Sequence, residues 1–234
     1  MTMKIKRRFS GRDTLFDLVS IDYNILPLLS RFNIPLGFGS KSIEAVCREA
    51  SIDLNLFLLV VNFTLTGQLD GSAADRISPL KIVDFLHNSH SYFLNYKIPH
   101  IRANLTAALD AGHSDINPMI LAFFNDFVKR LDEHFGYEEE TVFPYIRSLA
   151  EGRKATDYSI ECFRRHHEEV TESLSELKNL ILRYYTTSIP NQMYDVLVDI
   201  CNAEEDLDSH SAIENSILIP LVDHIEKQTN GERL

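Results

Sequence analysis

Four long stretches of this chain place apolar residues at alternating steps of three and four, and histidines interrupt those stripes where leucine or isoleucine belongs. The first runs Leu80, Val83, His87, His90, Leu94, and the second Ile120, Phe124, Phe127, Leu131, His134, Glu138. The third is Ile160, Phe163, His167, Val170, Leu174, Leu177, Ile181. The fourth is Val196, Ile200, Ala203, Leu207, His210, Glu214, Ile217, Leu221. Such spacing lays one face of a helix against a core. The connections near 110–117, 151–157 and 186–190 are short, so consecutive helices must be antiparallel neighbours, and no strand-like alternation competes. The expected fold is all-α, an up-down-up-down four-helix bundle over residues 79–228. Ser78-Pro79 and Asn117-Pro118 read as helix starts. Pro99 should kink the first helix rather than end it, because apolar spacing resumes at Ile101, Leu105 and Leu109.

Ahead of the bundle, DTLFDLVSI, YNILPLLSRF, KSIEAVCREA and DLNLFLLVVNF read as short amphipathic or apolar helices broken by IPLGFGS. They define a small N-terminal helical domain over residues 1–65. TGQLDGSAADRIS, Thr66 to Ser78, has the composition of a linker.

Two of the stripes carry nearly the same sentence. LDEHFGYEEETVFP (Leu131 to Pro144) and LDSHSAIENSILIP (Leu207 to Pro220) share Leu, Asp, His, Glu and Pro at the same offsets. With 34 acids in 234 residues, any histidine has roughly a 15% chance of an acid four residues on; requiring a proline at the tenth position cuts this to about half a percent. Two hits in phase with a helical seam are not noise. A step of four places His and Glu on one face, one turn apart, so His90, His134, Glu138, His167, His210 and Glu214 should all point inward. Buried carboxylates are expensive unless something neutralises them. A metal ion does so, and imidazoles complete its shell. The repeat also gives each half of the bundle one helix with a lone histidine and one with His-x-x-x-Glu, as a pseudo-twofold site requires. The helix lengths place His90 level with His134, and His167 level with His210; across the 151–157 connection the match is worse by several residues, part of which a kink at Pro144 would absorb.

The remaining candidates read more blandly. His166 is off the seam and should be a surface residue. His87 suits a core or supporting role better than ligation, and His113 falls in the first bundle loop, about a helix length from His90, and is not read as a ligand; contact of either with the site is left open. His100 and His224 carry no pattern, while Glu139 and Glu140 should rotate away from the seam.

The formal net charge of −11 argues against nucleic acid and against an anionic membrane as partners. KIKRR (Lys4 to Arg8) is a short exception that reads as a solvated tail. Three cysteines, Cys47, Cys162 and Cys201, lie far apart without a CxxC pair, which suits a reducing compartment. The longest apolar run, LFLLVV, is too short to span a bilayer, and the start lacks a signal-peptide core, so a cytoplasmic protein is expected.

The pattern His … His-x-x-x-Glu-x-x-x-x-x-Pro … His … His-x-x-x-Glu-x-x-x-x-x-Pro resembles the hemerythrin-like bundle. It is most similar to the iron–sulfur cluster repair (RIC) di-iron proteins, whose small N-terminal helical domain residues 12–65 also resemble. The resemblance implies two iron ions held by His90, His134, His167 and His210, with Glu138 and Glu214 bridging and an oxo or hydroxo bridge completing the centre. Hemerythrins proper carry a further histidine one turn after the first on the third helix; here that position is Thr171. The family's N-terminal loop usually holds adjacent cysteines before a glycine, where this chain has Gly37-Phe38. Cys47, on a helix seam, should be buried and structural.

The implied function is a non-haem di-iron protein of the nitrosative and oxidative stress response, supporting repair of damaged iron–sulfur clusters. The alternative is a hemerythrin-like sensor or carrier that binds O2 or NO reversibly without turnover. Whether the chain is an enzyme is left open. The implied partners are O2 or NO and damaged iron–sulfur proteins, with a homodimer as an open option. Histidine-rich ligation weakens support for high-valent iron, which disfavours substrate oxygenation. Ferritin-like iron handling would need a richer carboxylate set.

Overall fold

The structure is a computed structural model that describes residues 7–71, 77–109, 116–153, 158–166, 171–187 and 190–231. It is all-α, and among the described residues the only extended pairing is an isolated antiparallel bridge between Thr14 and Ser42. No helix among the described residues is long and apolar enough to cross a membrane. By contacts the chain divides into two compact units, one of residues 1–89, 146–156 and 213–234 and the other of residues 90–145 and 157–212.

In the first unit, among the described residues, the α-helices α1 Leu15–Ile21, α2 Leu26–Arg31, α3 Ile43–Glu49 and α4 Leu54–Thr66 precede the bundle. They start where side chains satisfy the first-turn amides. Thr14, Ser42 and Asp53 accept from the amides of Asp17, Ala45 and Leu56 respectively. Gly67 ends α4 in the left-handed region at φ 65°. The helix α5, Pro79–Tyr92, belongs to this unit through its first turns. Phe32 packs between Phe57 of α4 and Phe85 of α5, with ring centroids 5.1 and 4.7 Å away. Asn88 donates to the Arg31 carbonyl at 3.0 Å, and Lys81 of α5 pairs with Asp53.

The second unit is built on α6 (Ile98–Ala108), α7 (Asn117–Tyr137), α10 (Thr171–Tyr184) and α11 (Pro190–Ile213). In chain order α8, Phe143–Ala150, and α9, Ile160–His166, come between α7 and α10, and α12, Ile219–Gly231, follows α11; α8 from Ile146 onward and all of α12 belong to the first unit. The core joins the stripes: Ile101 and Leu105 of α6, Phe124, Phe127 and Leu131 of α7, Leu174, Leu177 and Ile181 of α10, and Val196, Ile200 and Leu207 of α11 are all buried. At roughly 1.5–3 kcal/mol per large apolar side chain, this seam dominates the stability of the bundle. Lys97–Asp199 (2.7 Å) and Lys178–Glu204 add ion pairs along its flank.

Helix α7 opens at Asn117 with Pro118 in its first turn, and its cap is Ile116, without a side-chain cap bond. Asn117 is thus one residue inside the helix that it was expected to cap.

Among the described residues, three turns of π-helix interrupt the long helices, at Phe93–Lys97, Glu138–Val142 and Glu214–Leu218. Each closes with an amide reaching five residues back: Ile98 to Phe93, Phe143 to Glu138 and Ile219 to Glu214. In every case the next residue is proline, Pro99, Pro144 or Pro220. Proline has no N–H, and its ring clashes with the carbonyl four residues back. Widening the preceding turn removes that clash without breaking the helix, so the expected kink takes the form of a wide turn. The extra residue also slips the buried stripe: beyond Glu214 the buried positions are Ile217, Leu218, Ile219 and Val222, while Leu221 is only partly buried.

Candidate metal centre

The stripes bring four ligand-type side chains together. One ligand atom from each of His90, Glu138, His210 and Glu214 lies within 4.8 Å of the others, and all four residues are buried. Both carboxylates are fully enclosed, and His90 and His210 are 3% and 1% exposed. His90 comes from the end of α5 and His210 from the end of α11. Glu138 and Glu214 are the first residues of two of the π-turns.

Glu138 lies between two imidazoles. Its Oε2 is 3.0 Å from Nε2 of His90 and its Oε1 is 2.9 Å from Nε2 of His134, which sits one helical turn earlier on α7 and is 10% exposed. The opposite nitrogen of His90 faces a second carboxylate. Nδ1 lies 2.7 Å from Oε1 of Glu139, a carboxylate that accepts a hydrogen bond from the ring when Nδ1 carries a proton. The buried Nε2 faces Glu138, 3.0 Å away, and makes no hydrogen bond of acceptable geometry. A cation shared between that ring nitrogen and the carboxylate turns the contact into ligation. Two imidazoles and two carboxylates form a nitrogen and oxygen donor set that suits first-row divalent metals. These residues fit a metal ion.

Aromatic rings hold the imidazoles. The His90 ring stacks on Phe135 at 4.0 Å and on Phe143 at 5.4 Å, with interplanar angles of 19° and 8°. His210 lies 5.2 Å from His90 and 5.4 Å from Phe135, and Phe93 meets it edge-on at 6.2 Å. Phe135 follows His134 in the chain, and Phe143 precedes Pro144, so the doubled motif supplies part of its own packing shell. That shell excludes water and fixes both rings.

The other sequence candidates fall as follows. His167 and His113 lie outside the described residues, as does the side chain of His166. His87 is exposed, not in the core as expected, because Leu86 and Phe93 take the inward positions that the stripe assigned to His87 and Leu94. Glu139, expected to rotate away, instead bonds His90 from a side chain that is 34% exposed. The signal for it was the run of glutamates at 138–140, read as one inward residue and two solvated ones. His100 is exposed and pairs with Asp199 at 3.5 Å, and His224 bonds Gln228 on the surface. Cys47 is buried, and burial, aided by nearby Asp53, pushes its thiol up to about 11.

A family model described as the hemerythrin HHE cation binding domain matches residues 81–222. A search of curated proteins returns no match.

Proposed function

Because the chain belongs to the hemerythrin HHE cation-binding family, we propose that its buried cluster holds two iron ions through His90, His134, Glu138, His167, His210 and Glu214. The observation that carries this reading is the enclosure of Glu138 and Glu214 beside histidine nitrogens. Glu138 turns one oxygen to each of two imidazoles, as a bridging carboxylate would. When bound, iron there supplies a redox-active Lewis acid able to take a diatomic ligand such as O2 or NO. The protein's own part is to hold the donors and keep water out. Phe93, Phe135 and Phe143 do this around His90 and His210, and Glu139 anchors His90 from the solvent side.

We assign the centre to nitrosative and oxidative stress, supporting repair of damaged iron–sulfur clusters in the cytoplasm, with residues 1–65 as a separate helical module. A second reading, a reversible O2 or NO sensor or carrier, is favoured by the N-terminal loop. Gly37-Phe38 stands where repair proteins carry a cysteine pair, and the one cysteine of this region, Cys47, is buried and held as a thiol.

One experiment separates the two. Iron-loaded protein is added to an iron–sulfur dehydratase inactivated by NO, and recovered activity is followed beside the protein's own optical spectrum. Repair predicts recovery that is lost in Glu138→Gln. A stable, reversible NO adduct with no recovery would replace repair with sensing.

A further inference from the structure

His90 is gripped at both nitrogens by consecutive residues of one helix, and only one of the two grips belongs to the ligand set. Oε2 of Glu138 faces Nε2 at 3.0 Å, and Oε1 of Glu139 faces Nδ1 at 2.7 Å. Adjacent positions of an α-helix point about 100° apart and do not normally embrace one ring. Here the π-turn starts at Glu138, and Glu138 and Glu139 both lie within it. The ring between them is 3% exposed and stacked on Phe135 and Phe143, so it cannot turn over freely.

We propose that Glu139 is a positioning residue for the metal centre: it holds His90 in the tautomer whose Nε2 is free to ligate, and it raises the donor strength of that nitrogen. This rests on the metal-centre reading above. A neutral imidazole can carry its proton on either nitrogen, and only the Nδ1–H form offers Nε2 to a metal at the Glu138 side. A carboxylate accepting from Nδ1–H selects that form and pushes electron density toward Nε2, the arrangement that commonly supports metal-bound histidines. Glu139 reaches this position from the solvent side with a third of its side chain exposed, so its replacement leaves the core packing intact.

The test compares wild type with Glu139→Ala and Glu139→Gln, each checked for folding by circular dichroism. Three readouts are taken, the third being the midpoint potential of the iron-loaded protein. The first is the tautomer of His90 in metal-free protein, from long-range 1H–15N correlation spectra assigned with His90→Gln. Wild type should show Nδ1 protonated, Glu139→Gln should keep that proton through its amide oxygen, and Glu139→Ala should show Nδ1 partly or wholly deprotonated. The second is Fe(II) retention against a chelator under anaerobic conditions. It should fall about 10- to 100-fold in Glu139→Ala and far less in Glu139→Gln, whose weaker donation should still raise the midpoint potential. An unchanged tautomer in Glu139→Ala, or wild-type retention and potential in both variants, overturns the role of Glu139. If wild type itself holds no iron while the tautomer still depends on Glu139, the metal-centre reading fails and the ligand-positioning role falls with it, leaving Glu139 only as a structural partner of His90.

Discussion

At the scale of single residues, the centre is a trade between charge and burial. Glu138 and Glu214 are fully enclosed, and a buried carboxylate near another costs stability unless a cation sits with it. The double variant Glu138→Gln, Glu214→Gln should therefore lose metal and yet stabilise the metal-free chain, by roughly 1–3 kcal/mol in urea unfolding. A metal-free double variant less stable than metal-free wild type would contradict this. His210→Ala and His134→Ala should each lower retained iron by more than about tenfold, and normal iron in both would remove the ligand assignment. Cys47 should resist alkylation at pH 8 in the native protein while Cys162 and Cys201, both partly exposed, react, because burial keeps its thiol protonated to about pH 11. Much of this was legible in the sequence. Spacing alone pointed to His90, Glu138, His210 and Glu214, since each breaks an apolar stripe in phase. It missed Glu139 because a residue one step off the seam is expected to face solvent, and only the wide turn at Glu138 brings it back to His90. It misplaced His87 because steps of three and of four both fit a short stripe, and Leu86 and Phe93 win the buried positions on apolar surface.

At the scale of elements, proline explains why the doubled motif runs eleven residues from its histidine rather than five. In both copies proline follows glutamate by six, and the π-turn between them starts at the glutamate and ends two residues before the proline. Proline thus sets where the helix widens and how the carboxylate enters the core. Pro144→Ala with Pro220→Ala should let both segments relax towards regular α-helix. Helical content should hold while iron retention falls severalfold, and slowed amide exchange in the two turns would report the change. Undiminished iron retention would separate the wide turns from the site. The sequence showed the prolines but only as kinks, since the form a kink takes depends on packing on both sides. Capping gives a second test. Asp53 caps α4 and pairs with Lys81 of α5. Partial burial favours its neutral form, but Lys81 and the amides of Leu56 and Asn55 outweigh this and hold its carboxyl below the ordinary 3.8. A depressed folded value means that the stabilisation is present above the unfolded pKa and is lost as pH falls through the folded one. Asp53→Ala should cost about 1 kcal/mol at pH 7, and the difference from wild type should shrink in acid below pH 3.8.

At the scale of the molecule, the stripes specified the helices and their order because a four-helix bundle is patterned by one long apolar face per helix. The short helices of residues 1–65 were legible as pieces, through their caps and the left-handed Gly67. Their packing was not, since the burial of Phe32 between Phe57 and Phe85 depends on contacts made at a distance in sequence. A ligand that binds only the folded state stabilises it by mass action, and the donors here converge only when the bundle forms. Removing iron with a chelator should therefore lower the melting temperature by roughly 5–10 °C, and an unchanged melting temperature would mean that nothing bound there supports the fold. The most direct measurement is iron per chain in protein purified without added metal, with its optical spectrum before and after reduction. Near two irons per chain, with ferric charge-transfer bands that bleach on reduction, is the predicted result. Little metal that cannot be restored by anaerobic Fe(II) would mean that the buried histidines and glutamates build a core rather than a metal centre.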